Sequence, residues 1–281
     1  MGEKQLRITF WGVRGSRPIP GKDTVIFGGN TPCVTVEAGE TLIILDAGTG
    51  ISNLGDYLME TRGKVEAHLF VTHLHWDHIH GFPFFMPAYS PQSKLYLYGP
   101  GKMDRTFVSL MRGQMSYPYF PVLFENLKAR IYLKDVAGHE RLKIANDLQI
   151  STTNNNHPGG CLSYRIDYGD KSCCYFTDTE HYRQVDSNLK KLAEGADVMI
   201  YDSNFTDAEY EGFDKFDTKV GWGHSTWQEG IKLARSADVS QLVFFHHATH
   251  RTDRQLFQIE KEAQGLFKNC RAAAEGSTII L

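Results

Sequence analysis

The chain has 281 residues, of which 41% are hydrophobic, and its 33 acidic and 30 basic side chains give a formal net charge of −3. A chain of this length and composition can bury a sizeable core, as one large domain or as two fused halves. It contains no dense run of lysine or arginine. Because a long nucleic acid is usually bound through many phosphate contacts, this argues against such a partner.

No apolar segment follows the first five residues, and no apolar run approaches the ~20 residues of a membrane span. The sequence therefore predicts a cytoplasmic protein without a membrane partner. Five cysteines are an odd count, which indicates free thiols and not a disulfide framework.

The predicted elements alternate between strands and helices. The first hundred residues contain short β-rich segments and glycine turns, with a helix near 50–60. A helical stretch follows near 102–114, then strands near 129–133, 148–152, 163–167 and 172–177. A helix over 187–194 leads into a strand at 197–201, and helices near 227–236 and 254–264 enclose a strand at 241–245. This order predicts an α+β fold, a four-layer αββα sandwich of two packed mixed β-sheets, as a single domain over residues 1–281.

The stretch His73-Leu-His-Trp-Asp-His78 places four ligand-type side chains within a few residues, directly after an apolar run. Alternate residues of an extended segment point the same way, so His73 and His75 can bind one metal ion. A helix that begins just after His75 would turn Asp77 and His78 toward a second position. Imidazole and carboxylate suit zinc and similar divalent ions, so the pattern predicts a metal site and not a histidine-rich loop.

Two aromatic and proline-rich pieces, at 81–89 and 115–121, follow this motif. Proline prevents either from forming a regular helix or a central strand. They form either a pocket wall that stacks a nucleobase on rings such as Tyr117 and Tyr119, or a subunit interface or ordinary loop packing. An interface in a homodimer that contributes to a neighbour's pocket would satisfy both interpretations.

The His-x-His-x-Asp-His pattern at residues 73–78 resembles the signature of the metallo-β-lactamase fold hydrolases. Residues 42–48, an apolar strand that ends in Asp46, resemble the second strand of that family. Later positions of the family match His157, Asp178 and His246, and for the last of these the resemblance favours His246 over the adjacent His247. The resemblance covers residues 8–253.

The resemblance implies seven ligands for two divalent ions. The first ion would be held by His73, His75 and His157. The second would be held by Asp77, His78 and His246, and Asp178 would bridge the two ions. Two ions roughly 3.5–4 Å apart can share a hydroxide and clamp both oxygens of an in-line displacement at phosphorus. Zinc is the default expectation, with manganese and iron as alternatives.

Two further residues match the phosphodiesterase branch of this fold, which includes the tRNA 3′-processing endonucleases. Asp202 follows an apolar strand, and His224 lies in Gly221-Trp-Gly-His-Ser-Thr226. Those nucleases have glutamate where this chain has Asp202. A histidine oriented by a carboxylate is suited to protonate a leaving alkoxide, so we expect His224 and Asp202 to be catalytic together with Asp77.

Glycine-rich loops at 11–18 and 27–32 approach the site in this fold. Arg14 and backbone amides near residues 28–29 would bind a phosphate, as exposed N–H groups do in anion nests. The alternative, to which we give equal weight, is that the glycines only form tight turns and the arginines lie on the surface without a ligand.

The first-choice function is hydrolysis of a small phosphodiester, with a 3′,5′-cyclic nucleotide as the leading substrate, because the chain is similar to bacterial phosphodiesterases that degrade cyclic nucleotides. The alternative is a tRNA 3′-end processing endonuclease. Those enzymes have a long basic arm, and residues 179–223, where we would expect it, are not basic. A third interpretation is hydrolysis of an ester or lactone at the same ions, and the non-enzymatic one is a metal-stabilised binding module.

Overall fold

The computed structural model describes residues 4–102, 104–213 and 217–281. The strands of these ranges are, in chain order, β1 (Leu6–Gly12), β2 (Cys33–Ala38), β3 (Thr41–Leu45), β4 (Glu66–Phe70), β5 (Lys94–Gly99), β6 (Arg130–Asp135), β7 (Arg141–Ala145), β8 (Leu148–Asn155), β9 (Cys161–Tyr168), β10 (Lys171–Phe176), β11 (Val198–Asp202), β12 (Gln241–Phe245), β13 (Cys270–Ala272) and β14 (Thr278–Ile280). The helices are α1 (Gly50–Thr61), α2 (Trp76–Ile79), α3 (Phe107–Gln114), α4 (Ser187–Ala193), α5 (Asp207–Glu211), α6 (Trp227–Ser236) and α7 (Asp253–Leu266).

The strands form two seven-stranded sheets with the same pattern of directions. The first has the order β14-β1-β2-β3-β4-β5-β6 and the second β13-β12-β11-β10-β9-β8-β7. Each sheet has three antiparallel pairings on one side and three parallel pairings on the other, at β14 to β3 and β3 to β6 in the first sheet and at β7 to β10 and β10 to β13 in the second. The predicted α+β sandwich of two packed mixed sheets is confirmed.

The sheets pack against each other through large apolar side chains. Phe10, Phe70, Tyr164, Tyr175 and Phe245 are all fully buried in the core between the two sheets. Because successive residues of a strand point to opposite faces, the same strands present a second apolar set outward.

Helices cover the outer face of each sheet. Leu54 and Leu58 of α1 pack in one core with Leu69 of β4, and Ile231 of α6 packs in another with Leu242 of β12. This arrangement leaves the loops at the strand ends free to carry polar groups.

The predicted elements differ from the structure chiefly at their ends. The helical stretch expected from residue 102 begins at Phe107, because the Thr106 side chain accepts a hydrogen bond from the Ser109 backbone N–H and caps α3 there. The helix at Trp227–Ser236 and the strand at Gln241–Phe245 lie where the sequence predicts them. The proline-rich piece at 81–89 contains two short 3₁₀ turns.

All five cysteines are free and buried, as predicted. No helix within the described ranges has the length and apolar character needed to cross a membrane.

The inter-sheet core yields a stability prediction. Phe10 is fully buried, with its ring centroid 6.2 Å from that of Phe245. Phe10→Ala should lower the free energy of unfolding by about 3–5 kcal/mol, because it removes apolar contact and leaves a cavity. Urea unfolding in the presence of a chelator measures this without a contribution from metal binding. Tyr132→Ala, at a half-exposed position on β6, is the control and should cost about 1 kcal/mol or less.

Candidate metal centre

The predicted ligands meet at one rim of the sandwich, where parallel strands of both sheets end. The segment after β4 carries His73 and His75, and the short helix α2 carries Asp77 and His78. His157 follows β8, Asp178 follows β10 and His246 follows β12. The carboxyl ends of parallel strands are a general position for ligand sites in such sheets.

Three aspartate and histidine residues at this rim adopt a backbone conformation that is unusual outside glycine. Asp46, Asp178 and His246 have φ values of 61°, 52° and 59°. Left-handed backbone at non-glycine residues persists where the surrounding structure holds it, and it is concentrated at functional sites. The turns after β10 and β12 therefore aim Asp178 and His246 into the centre, and the turn after β3 holds Asp46 behind it, each at a cost in strain.

The seven predicted ligands form two groups, and two further groups combine His224 with His157 and Asp178 or with Asp202 and His246. In each group, the candidate ligand atoms all lie within 4.8 Å of one another. The two groups are His73, His75 and His157; and Asp77, His78, Asp178 and His246.

Asp178 lies between the two groups. Its Oδ1 is 3.7 Å from His73 Nε2 and 3.9 Å from His157 Nε2. Its Oδ2 is 3.1 Å from His78 Nε2 and 3.3 Å from His246 Nε2. One carboxylate thus offers an oxygen to each group, as a bridging ligand would.

The donor set fits divalent cations. His73 Nε2 and His78 Nε2 are buried and make no hydrogen bond, although buried polar atoms are almost always satisfied. Both nitrogens face the carboxylate of Asp178, and imidazole with carboxylate is a set that zinc and similar ions accept. A cation in each group would give these atoms the partner they lack.

The electrostatics favour the metal-binding protonation states at the first group of ligands and at Asp178, whereas at His78 the carboxylates of Asp178, Asp77 and Asp46 outweigh burial and raise the pKa, so an ion there would displace a proton. Burial lowers the pKa of His73, His75 and His157, which keeps these imidazoles neutral. Burial alone would raise the pKa of Asp178, but His246, His78 and His73 hold it well below its usual range. Neutral imidazole and ionised carboxylate are the forms that coordinate a metal.

Asp46 orients one of the candidate ligands from behind. Its carboxylate accepts hydrogen bonds from Nδ1 of His78 at 2.8 Å, from the Thr72 backbone N–H at 2.7 Å and from the Tyr175 hydroxyl at 2.9 Å. Holding Nδ1 in this way leaves Nε2 of His78 directed at the centre. Carboxylate–histidine pairs of this kind fix the ring and raise the basicity of the ligand nitrogen.

The structure distinguishes His246 from the adjacent His247. His246 Nε2 lies 3.2 Å from Asp77 Oδ2, inside the centre. His247 is turned away, with its Nε2 2.9 Å from the carbonyl oxygen of Ala273, and burial followed by the charge of Arg14 lowers its pKa to about 3. His246 is the residue that the structure places among the candidate ligands.

His224 and Asp202 are paired beside the centre. Nδ1 of His224 lies 2.9 Å from Asp202 Oδ2, and the His224 ring stacks on that of His246 with centroids 4.9 Å apart. Burial acts to lower the pKa of His224, but Asp202, and after it Asp178, raise it to about 9. The pairing leaves Nε2 as the ring nitrogen available to the cleft.

Glu180, which no sequence pattern marks as a site residue, fixes the loop that carries His224. Its carboxylate accepts hydrogen bonds from the Gly221 and Gly223 backbone N–H groups and from the Tyr210 hydroxyl, at 2.6, 2.8 and 2.7 Å. The Gly223 carbonyl oxygen is in turn 2.8 Å from Nδ1 of His157. The only sequence signal was a second carboxylate two residues after Asp178.

Gly223 is required where the loop passes His157. Its φ is 84°, and a Cβ there would lie 2.3 Å from His157 Nδ1. A side chain would therefore both strain the backbone and displace a candidate ligand.

The prediction that Arg14 binds substrate phosphate is wrong. Its side chain is fully buried and donates hydrogen bonds from Nε to the Gly28 carbonyl and from Nη1 to the Arg251 carbonyl, both at 2.7 Å. Its Nη2 lies 3.9 Å from Asp253. Arg14 fastens the glycine-rich loops to the region before α7, and its guanidinium does not reach the cleft.

The two predicted tyrosines differ in position. Tyr119 lines a cavity that also contains Trp76 and adjoins the centre. Tyr117 is 85% exposed and lines none of the cavities at the cleft. The cleft over the centre has a volume of about 400 Å³ and is lined by Ser16, Leu74, His75, Trp76, Asp77, Asp178 and His224.

The fold and the site together are those of metal-dependent hydrolases built on two packed sheets. Residues 41–247, well over half of the chain, match the family model described as a beta-lactamase superfamily domain. The chain therefore belongs to the beta-lactamase superfamily.

Curated relatives are similar to most of the chain. Ribonuclease Z of Picrophilus torridus is 25% identical over 96% of this chain and 94% of its own length. Ribonuclease Z of Bacillus subtilis is 23% identical over 75% of this chain and 79% of its own length.

Solved structures show the same fold at low identity. The metallo-beta-lactamase fold protein YhfI of Bacillus subtilis superposes with a TM-score of 0.73 at 19% identity, covering 99% of this chain and 100% of YhfI. The short form of human tRNase Z gives a TM-score of 0.68 at 17% identity, with 97% and 98% covered. Unliganded yeast PDE1 gives 0.66 at 13% identity, with 99% and 100% covered.

The adjacent histidines provide a matched test of the site. His246→Ala should lower the metal content of the purified protein, because it removes one nitrogen from the second group of ligands. His247→Gln should leave the metal content unchanged, since His247 faces Ala273. Elemental analysis after gel filtration measures both. Loss of metal from His247→Gln alone would reverse the assignment.

Asp46→Asn should weaken metal binding without abolishing it. The amide cannot accept from His78 as strongly as the carboxylate does, so the affinity for the ion bound by His78 should fall by about 10- to 100-fold. Competition with a chromogenic chelator measures this affinity. An affinity equal to that of the wild-type protein would show that Asp46 does not orient the ligand.

Proposed function

We propose that this protein is a phosphodiesterase whose rim cluster binds two divalent ions, with zinc as the first candidate. The observation that carries the proposal is the position of Asp178, which offers one oxygen to each group of ligands. The first ion would be held by His73, His75 and His157, and the second by Asp77, His78 and His246.

When bound, a pair of such ions lowers the pKa of a water molecule and offsets the charge that develops on the phosphoryl oxygens. The protein supplies the proton for the leaving group. His224 holds that proton on Nε2 at the border of the cleft, while Asp202 accepts from Nδ1 and keeps the ring in place. A positioned acid of this kind contributes typically 10²–10⁴-fold to such a step.

The His224–Asp202 pair favours a phosphodiester over a carboxylic ester or lactone. The alkoxide that leaves a phosphodiester is a poor leaving group and departs as the nucleophile attacks, so it requires a proton donor in that step, whereas an ester or lactone first forms a tetrahedral intermediate and loses its alkoxide afterwards. Asp202 is fully buried and also accepts from the Thr179 and Asn204 backbone N–H groups, so its orientation is fixed.

Among phosphodiesters, the relatives favour RNA. The curated relatives reported above are named ribonuclease Z, which agrees with the tRNA 3′-end alternative and conflicts with our expectation that a long nucleic acid is not a partner. The likeness to yeast PDE1 concerns the fold alone, and it lends no support to a 3′,5′-cyclic nucleotide. We therefore place an RNA 3′ end first among the substrates.

The segment between Asp178 and His224 constrains how RNA would be held. Its described part contains α4, β11 and α5, and β11 lies inside the second sheet between β10 and β12. The described residues of this segment thus build part of the fold itself. We propose that the RNA is bound at the cleft and its borders.

Turnover of a substrate panel tests this function. The panel contains bis-p-nitrophenyl phosphate, a precursor tRNA with a 3′ trailer, 3′,5′-cyclic AMP and p-nitrophenyl acetate, each with zinc- or manganese-loaded protein and with chelator. We expect chelator-sensitive hydrolysis of the bis-ester and release of the trailer. Hydrolysis of p-nitrophenyl acetate alone would overturn the proposal in favour of an esterase.

His224→Ala separates proton donation from metal binding. The variant should keep its full metal content and lose about 10²–10⁴-fold in phosphodiester turnover, because His224 is the one described residue of the cleft lining that lies outside the predicted ligand set and carries an acidic N–H. His68→Ala is the control, since His68 lies on β4 and stacks on Tyr96 and not on the centre. Unchanged turnover in His224→Ala would refute the assigned role.

A further inference from the structure

Two aromatic cavities open from separate borders of the cleft. The first, which we call the Trp76 groove, has a volume of about 750 Å³ and is lined in part by Trp76, Phe84, Arg105 and Tyr119. It shares Trp76 and Leu74 with the cleft. The groove therefore continues directly from the side of the centre where His75 and Asp77 lie.

The second cavity, which we call the Trp222 pocket, has a volume of about 470 Å³ and is lined in part by Phe205, Lys219, Trp222 and His250. It shares Ser16 and His224 with the cleft, and none of the described residues lines both it and the Trp76 groove. The proton donor of the proposed reaction thus forms the boundary between the cleft and this pocket.

Both cavities contain an indole ring that is unusually open to solvent. Trp76 is 84% exposed and Trp222 is 57% exposed, whereas tryptophan side chains are mostly buried. Trp76 lies between two candidate ligands, His75 and Asp77, so its backbone is held at the centre while its ring extends outward. The Trp222 ring has the ammonium group of Lys219 4.5 Å from its centroid.

These features match the chemistry of a linear phosphodiester. Its phosphorus carries two organic groups that extend in different directions, and each would need its own surface beside a cleft that holds only the phosphate. Exposed aromatic rings stack nucleobases irrespective of their identity, and cations in the same cavities, here Arg105 in the Trp76 groove and Lys219 over the Trp222 ring, attract the neighbouring phosphates.

We infer that the Trp76 groove and the Trp222 pocket each receive one of the two nucleosides that flank the scissile phosphate, with their bases against the indole rings. This inference rests on the proposed phosphodiesterase function and specifies its substrate as a linear oligonucleotide. A 3′,5′-cyclic mononucleotide has a single nucleoside and would fill only one of the two cavities. Since His224 borders the Trp222 pocket, the nucleoside in that pocket carries the leaving oxygen.

Equilibrium binding tests the inference without turnover. The probe is a diuridine in which methylene replaces the scissile bridging oxygen, titrated calorimetrically into the zinc-loaded protein. Trp76→Ala and Trp222→Ala should each weaken binding by about 5- to 100-fold, and Trp76→Phe should restore most of it. Tyr132→Ala, which removes an exposed ring that lines neither the cleft nor the two cavities, should bind as the wild-type protein does.

Two half-ligands assign the cavities separately. Uridine 3′-(methyl phosphate) and uridine 5′-(methyl phosphate), each with methylene in place of the scissile bridging oxygen to prevent turnover, carry one nucleoside on one side of phosphorus. We expect Trp76→Ala to weaken binding of one of them and Trp222→Ala to weaken binding of the other. If one variant weakens both half-ligands and the other weakens neither, a single nucleoside site exists and the inference fails.

The remaining outcomes separate this inference from the proposed function. If the diuridine analogue binds through both tryptophans while no diester is hydrolysed, the two subsites stand and the phosphodiesterase function fails. If bis-p-nitrophenyl phosphate is hydrolysed while neither tryptophan affects binding, the phosphodiesterase function stands and the two subsites fail. A change of oligomeric state in Trp76→Ala, seen by light scattering with binding unchanged, would assign the groove to a second copy of this chain and overturn the inference.

Discussion

The site depends on one buried carboxylate that is shared by two sets of imidazoles. Asp178 is almost fully buried and lies within 4 Å of His73, His78, His157 and His246. Such a concentration of polar atoms, two of them without a hydrogen bond, is unfavourable in a protein interior unless something compensates it. Two cations would do so, and the left-handed turns at the strand ends hold the side chains in readiness for them.

The remaining structure serves to hold these groups in place. The two sheets bring the ends of their parallel strands to one rim, and polar groups behind the rim fix the orientation of each ring: Asp46 behind His78, Gly223 behind His157 and Asp202 behind His224. Supporting hydrogen bonds of this kind fix the orientation of a ligand or an acid and change its basicity. The chemistry that we propose follows from this preorganisation, since proton donor and carboxylates share one cleft.

Local patterns in the sequence predicted the fold class and the ligands at residues 73–78, and the resemblance to a known family supplied His157, Asp178 and His246. The His-x-His-x-Asp-His motif and the apolar strands ending in Asp178 and His246 encode the rim directly, because a strand end fixes where the next side chain points. Arg14 was predicted wrongly because no local pattern shows that its partners are Gly28 and Arg251 carbonyls from distant parts of the chain. Glu180 was missed for the same reason, and β7, at a sheet edge, alternates charged and apolar residues too briefly to be recognised.

The central claim is that two ions occupy this rim, one in each group of ligands, with Asp178 between them. Anomalous diffraction from crystals of the zinc-loaded protein, recorded on both sides of the zinc absorption edge, tests it most directly. We predict two peaks, one bounded by His73, His75 and His157 and the other by Asp77, His78 and His246, with Asp178 contacting both. A single peak, or peaks located away from Asp178, would contradict the account.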